Sequence, residues 1–135
     1  MSYLVLESGE IYSGQWHGGQ DSAGEVVFNT SHSGYEEIAT DPSYYSQIVV
    51  MTAPMQGNYG ISKDFWESEN IWIKGFICLQ LQNTKRESGW KDLLEESNIP
   101  SMDEVDTRRL VKTLRSKGTV WGLSLIHISE PTRPY

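Results

Sequence analysis

Gln47-Ile48-Val49-Val50-Met51-Thr52 is an uncharged run with three consecutive β-branched residues. Such a run is too short for a typical helix and predicts a buried strand. Moving toward the amino terminus, Gly24-Glu25-Val26-Val27-Phe28 predicts a second strand, preceded by a polar loop that Gly18-Gly19 opens. Earlier still, Tyr3–Glu7 and Glu10–Gly14 are short strand-like runs separated by Ser8-Gly9, the composition of a tight hairpin turn. On the carboxyl side, Ile71–Leu81 predicts another strand. Gly75 in its middle calls for a bulge or a close backbone approach there.

After residue 85 the apolar period turns helical. Ser88 can cap a helix that carries Trp90, Leu93 and Leu94 on one side and stops before Pro100. Asp106 is a stronger cap, with Val105 placed to staple onto Leu110. That helix directs Leu110, Val111 and Leu114 inward and Arg108, Lys112 and Arg115 outward, and Gly118 sits at its end. Strands first and helices later predict an α+β fold: one domain, a compact β-rich sheet with helices on its flank. The domain reads as residues 1–123. Ser124–Tyr135, with Pro131 and Pro134, reads as a non-native or disordered tail that forms no regular element and adds little stability.

A length of 135 residues suits one domain with a proper core. A hydrophobic share of 38% and a charged share of 21% are those of a globular chain, neither disordered nor membranous. No run approaches the ~18 apolar residues of a membrane span, and the opening Met1–Glu7 has no signal-peptide character. The lone Cys78 excludes an internal disulfide and fits a reducing, cytoplasmic setting. A net charge of -7 argues against nucleic acid as a partner. The charge is uneven: residues 1–70 hold ten acids and one base, and the remainder holds eight acids and ten bases.

Most local candidates for chemistry fail on their surroundings. Cys78 lies in an apolar run with no cation beside it, so it reads as an inert buried thiol. His17, His32 and His127 have no metal-ligand spacing, which argues against a zinc site. Glu36 and Glu37 are adjacent and point apart in any regular element. The basic side of the last helix reads first as a solvated face and second as a surface for an acidic partner. Two loops remain. Thr40-Asp41-Pro42-Ser43-Tyr44 is a turn that would present the Ser43 hydroxyl and amide outward. Pro54–Gly60 is glycine-rich but lacks the spacing of a phosphate cradle.

The ordered series Gly24–Thr30, Ser33-Gly34-Tyr35-Glu36-Glu37-Ile38, Thr40–Tyr44, Gln47-Ile48-Val49 and Gly57-Asn58-Tyr59-Gly60 resembles one family. It is similar to the amino-terminal domain of the small, glutamine-hydrolysing subunit of carbamoyl-phosphate synthase. Val105–Leu110 and Leu114–Gly118 fit the same pattern, so the resemblance runs from about Tyr3 to about Gly122. Two stretches depart from it: Leu81–Gly89 lacks the usual lead into the first helix, and Ser124–Tyr135 matches nothing in the family.

The resemblance implies a subunit that hydrolyses glutamine and passes ammonia to a large subunit. The large subunit makes carbamoyl phosphate from ammonia, bicarbonate and ATP for pyrimidine and arginine synthesis. The amidase site would lie in a second, carboxyl-terminal domain, so no catalytic residue is expected in this chain. The implied partners are the large subunit, the amidase domain and glutamine, with no nucleic acid and no membrane. No cofactor or metal is expected on this domain; ATP and Mg belong to the large subunit. Among the residues here, glutamine contact carries over to Ser43 alone. A rival reading is a noncatalytic interaction module that uses its acidic β surface.

Overall fold

The computed structural model describes residues 2–19, 21–30, 35–52, 55–56, 66, 70–81, 89–118 and 120–127. The strands are β1 (Ser2–Leu6), β2 (Ile11–Trp16), β3 (Ser22–Asn29), β4 (Gln47–Met51), β5 (Met55–Gln56), β6 (Gly75–Ile77), β7 (Gln80–Leu81), β8 (Ser101–Asp103) and β9 (Val120–His127). The helices are α1 (Tyr35–Thr40), α2 (Trp90–Glu96) and α3 (Thr107–Lys117), and a 3₁₀ turn covers Pro42–Tyr44. Seven strands close into a barrel in the order β1-β2-β8-β6-β4-β3-β9, and β5 pairs with β7 in a separate two-stranded sheet. The fold is α+β, as the sequence predicts. No described helix is long and apolar enough to cross a membrane.

β4 owes its continuous apolar run to burial on both faces. Ile48 and Val50 point into the barrel with Leu4, Leu6, Val26, Ile77 and Met102. Val49 and Met51 point outward into a second cluster with Tyr35, Phe76, Trp90 and Leu94, which α1 and α2 cover. β3, β4, β6 and β8 run parallel to one another. β1, β2 and β9 complete the barrel with antiparallel pairings. At the start of β4 the backbone comes close to β3: a Cβ on Gly24 would stand 2.4 Å from the Ser46 carbonyl oxygen. Only a glycine admits that approach.

α3 behaves as its sequence predicts. The Asp106 Oδ1 accepts the Arg109 amide at 3.1 Å, and Val105, Leu110, Val111 and Leu114 are all buried in the barrel cluster. The helix ends at Gly118, whose φ of 74° and ψ of -125° favour glycine. The Ser8-Gly9 hairpin is also present, with the Gly9 amide donating to the Leu6 carbonyl at 2.9 Å.

Four expectations need correction. Strands and helices are interleaved, because α1 precedes β4 while β8 and β9 follow the first long helical stretch. Ile71–Leu81 is not one strand. Gly75–Ile77 joins the barrel, and Gln80–Leu81 pairs instead with Met55–Gln56. The expected tail carries regular structure: Ser124–His127 is the second half of β9, with His127 opposite Ser2 and Leu125 opposite both Leu4 and Ser22. Finally, Gly89 is the residue at the cap of α2 and makes no side-chain cap bond. Ser88 lies outside the described residues, as do residues 128–135 and, apart from Met55–Gln56, the Pro54–Gly60 loop.

Candidate functional site

The Thr40–Tyr44 turn forms by local chemistry. Proline at position 42 fixes φ, and the Asp41 Oδ1 accepts the Ser43 amide at 2.9 Å, closing an Asx-type cap. The Tyr44 and Tyr45 amides then bond the Asp41 and Pro42 carbonyls, both at 3.0 Å. The sequence predicts an outward amide at Ser43. It is instead held by the Asp41 carboxylate, in a residue that is exposed as a whole. On the far side of the turn, the Asn29 amide group donates to the Tyr44 hydroxyl at 3.3 Å.

The surroundings of Ser43 are aromatic and open. Tyr45 is 65% exposed and stands edge-on to Trp72, with ring centroids 5.9 Å apart. Ser46, at φ 62°, redirects the chain into β4. A hydroxyl on such a turn can donate to and accept from a polar ligand. Hydroxyl attack on a substrate needs a base, and among the described residues the Ser43 hydroxyl has no hydrogen bond to one.

The other predicted groups fall elsewhere. Cys78 is fully buried, and burial together with the Asp103 charge pushes its thiol well above the ordinary range. That is the environment of an inert thiol. Glu36 is buried and accepts the Trp66 indole N–H at 3.0 Å, while Glu37 faces outward, so the two carboxylates are not a pair. His32 lies outside the described residues. His17 meets a partner that sequence reasoning missed: its Nε2 stands 2.5 Å from Asp103 Oδ1, while Asp103 Oδ2 accepts the Leu81 amide at 3.0 Å. The two residues are 86 positions apart, and nothing local signals such a pairing. Among the described residues, no group of three or more His, Cys, Asp or Glu side chains could hold a metal ion.

Residues 4–123 match the family described as carbamoyl-phosphate synthase small chain, CPSase domain. The chain belongs to this family. Among curated relatives, the carbamoyl phosphate synthase small chain of Methanococcus vannielii is 47% identical over 131 residues, covering 94% of this chain and 34% of that protein. The small chain of Methanococcus maripaludis strain C5 is 46% identical over 89% of this chain and 32% of its own length. That of Lawsonia intracellularis is 43% identical over 95% of this chain and 35% of its own length. The chain thus spans about a third of the carbamoyl phosphate synthase small chains that it matches. Ser43, its Asp41 cap and all three helices lie inside the matched segment.

Proposed function

We propose that this chain is the amino-terminal domain of the small subunit of a glutamine-dependent carbamoyl-phosphate synthase. In this reading the Asp41–Tyr44 turn forms one wall of the glutamine pocket, and Ser43 hydrogen-bonds the substrate. The pocket is completed by an amidase domain that supplies the Cys, His and Glu of hydrolysis, so the 135 residues alone have no amidase activity. Ammonia released there passes to the large subunit, on which the domain docks. The large subunit uses ATP and Mg, and this domain needs no cofactor. The product would serve pyrimidine and arginine synthesis in the cytoplasm. The observation that carries the reading is the family match over residues 4–123.

The test is Ser43→Ala in a complete small subunit assembled with its large subunit. Loss of one neutral hydrogen bond costs ~0.5–1.5 kcal/mol, so the KM for glutamine should rise about three- to tenfold. Ammonia-dependent synthesis should stay intact, because that route bypasses the glutamine pocket. An unchanged KM with a lowered thermal midpoint would reduce Ser43 to a turn residue.

A further inference from the structure

A groove of about 820 Å³ lies at the opposite pole of the parallel strands from the Ser43 turn. Thr30, Thr52 and Leu79 follow the carboxyl ends of β3, β4 and β6, and α3 supplies Arg108, Lys112 and Arg115 to the same groove. The Ser43 turn, by contrast, feeds the amino-terminal end of β4, and β9 also finishes at that pole, opposite Ser2 and Ser22.

The charge of the groove stands apart from that of the chain. α3 carries five of the eleven basic residues and no acid, in a protein of net charge -7. Two of the five are engaged with the chain's own carboxylates: Arg109 with Asp106 at 3.9 Å and Lys117 with Glu10 at 3.6 Å. Arg115 lies over the Phe28 ring at 5.3 Å. Arg108 and Lys112 are exposed and make no ion pair among the described residues. Among the described residues, the groove therefore gathers the two cations of the helix that have neither an ion pair nor a ring contact, with Asp106 at the helix cap also in its lining.

The shape favours a peptide segment over a small anion. Positions 108, 112 and 115 lie on one side of the helix and span ~10 Å along it, a row rather than a point. The Thr52 hydroxyl is already spent on the Asn29 carbonyl at 3.3 Å. Leu79, 43% exposed, offers an apolar contact beside the row. A row of cations with an apolar neighbour complements a segment that carries spaced carboxylates and an apolar side chain.

We infer that this groove docks an acidic segment of the large subunit, leaving the opposite pole to the remainder of the small subunit. The inference rests on the proposed function and deepens it by naming the surface and the chemistry of its partner. Docking through Arg108 and Lys112 makes subunit association salt-sensitive, as for any interface steered by exposed charge.

The test uses the complete small subunit and its large subunit, comparing Arg108→Glu/Lys112→Glu with Arg109→Glu/Lys117→Glu. The second variant changes the net charge equally, on the other side of the same helix. The dissociation constant is measured by sedimentation at low and moderate salt, and the glutamine KM of the isolated small subunit is measured in parallel. Reversing the groove charges should weaken association about tenfold or more and flatten its salt dependence, with the control within about threefold. The KM of the isolated subunit should not move, so failure here is distinct from failure of the Ser43 assignment. Equal effects from both variants, or none from either, would overturn the inference. So would a groove variant that only lowers the midpoint of the isolated small subunit, since its occupant would then be that subunit's own remainder. A midpoint raised by millimolar inorganic phosphate in the parent but not in the groove variant would make it a small-anion site and equally overturn the docking assignment.

Discussion

Asp41 and Asp106 make the same local bond with different consequences. Each accepts a backbone amide on its side-chain Oδ1, from Ser43 at 2.9 Å and from Arg109 at 3.1 Å. Behind Asp106 the chain buries Leu110, Val111 and Leu114 in the barrel cluster. Behind Asp41 the turn buries none of its residues, and Pro42 and Ser43 face outward. A cap stabilises what it starts only as far as the element it starts is packed. The α3 cap therefore belongs to the stability of the domain, and in the proposed reading the Ser43 cap belongs to presentation.

The largest effect expected from this contrast is in the core beneath α3. Leu110 is fully buried, so Leu110→Ala should cost ~2–5 kcal/mol in denaturant unfolding, through lost transfer energy and a residual cavity. Pro42→Ala, at the exposed turn, should stay within ~0.5–1 kcal/mol. Comparable losses at the two sites would break the contrast.

Truncation after Leu123 comes next. It removes the rungs that join Ser124–His127 to Ser2–Val5 and to Ser22, and so opens the barrel seam. At a net ~0.5–1.5 kcal/mol per backbone hydrogen bond, the loss should reach ~2 kcal/mol or more. An unchanged denaturant midpoint would restore the reading of Ser124–Tyr135 as a tail from end to end.

Asp106→Ala should cost ~0.5–2 kcal/mol, with Asp106→Asn milder because the amide oxygen still accepts. The exposed Arg109–Asp106 pair at 3.9 Å adds little to this. Equal losses for Ala and Asn would shift the weight from the cap to that pair.

The smallest effect expected is at Cys78. Its folded thiol is held protonated by burial, so its contribution is fully present below the ordinary thiol pKa of ~8.5 and declines as pH rises above it, where the unfolded thiol ionises. Iodoacetamide should label Cys78 only as the protein unfolds. Rapid labelling of the native protein would place the thiol at an accessible site.

What was legible in the sequence follows the range of the interactions involved. β4 could be read because both of its faces are apolar, and α3 because its cap, inward side and terminal glycine are all local. α1 was missed because six residues containing Glu36-Glu37 show too little period, and its burial comes from packing with α2, β4 and β6. β8 was missed because three residues become a strand only through parallel pairing with β6 and antiparallel pairing with β2. The second half of β9 was missed because composition outweighed the seam that it closes. At the site, the turn itself could be read from Asp41-Pro42, but not the capture of the Ser43 amide, nor the contact between His17 and Asp103. The row of cations on α3 was visible, whereas the groove that Thr30, Thr52 and Leu79 form with it depends on where three parallel strands end.

The most direct test of the division between presenting and holding is to pair Asp41→Ala with Asp106→Ala in a complete small subunit, measuring the glutamine KM and the thermal midpoint of each. Asp41→Ala should raise the KM severalfold with little change in midpoint, and Asp106→Ala should lower the midpoint by several degrees with the KM unchanged. A lowered midpoint with unchanged KM for Asp41→Ala would contradict the account, because both aspartates would then serve stability alone.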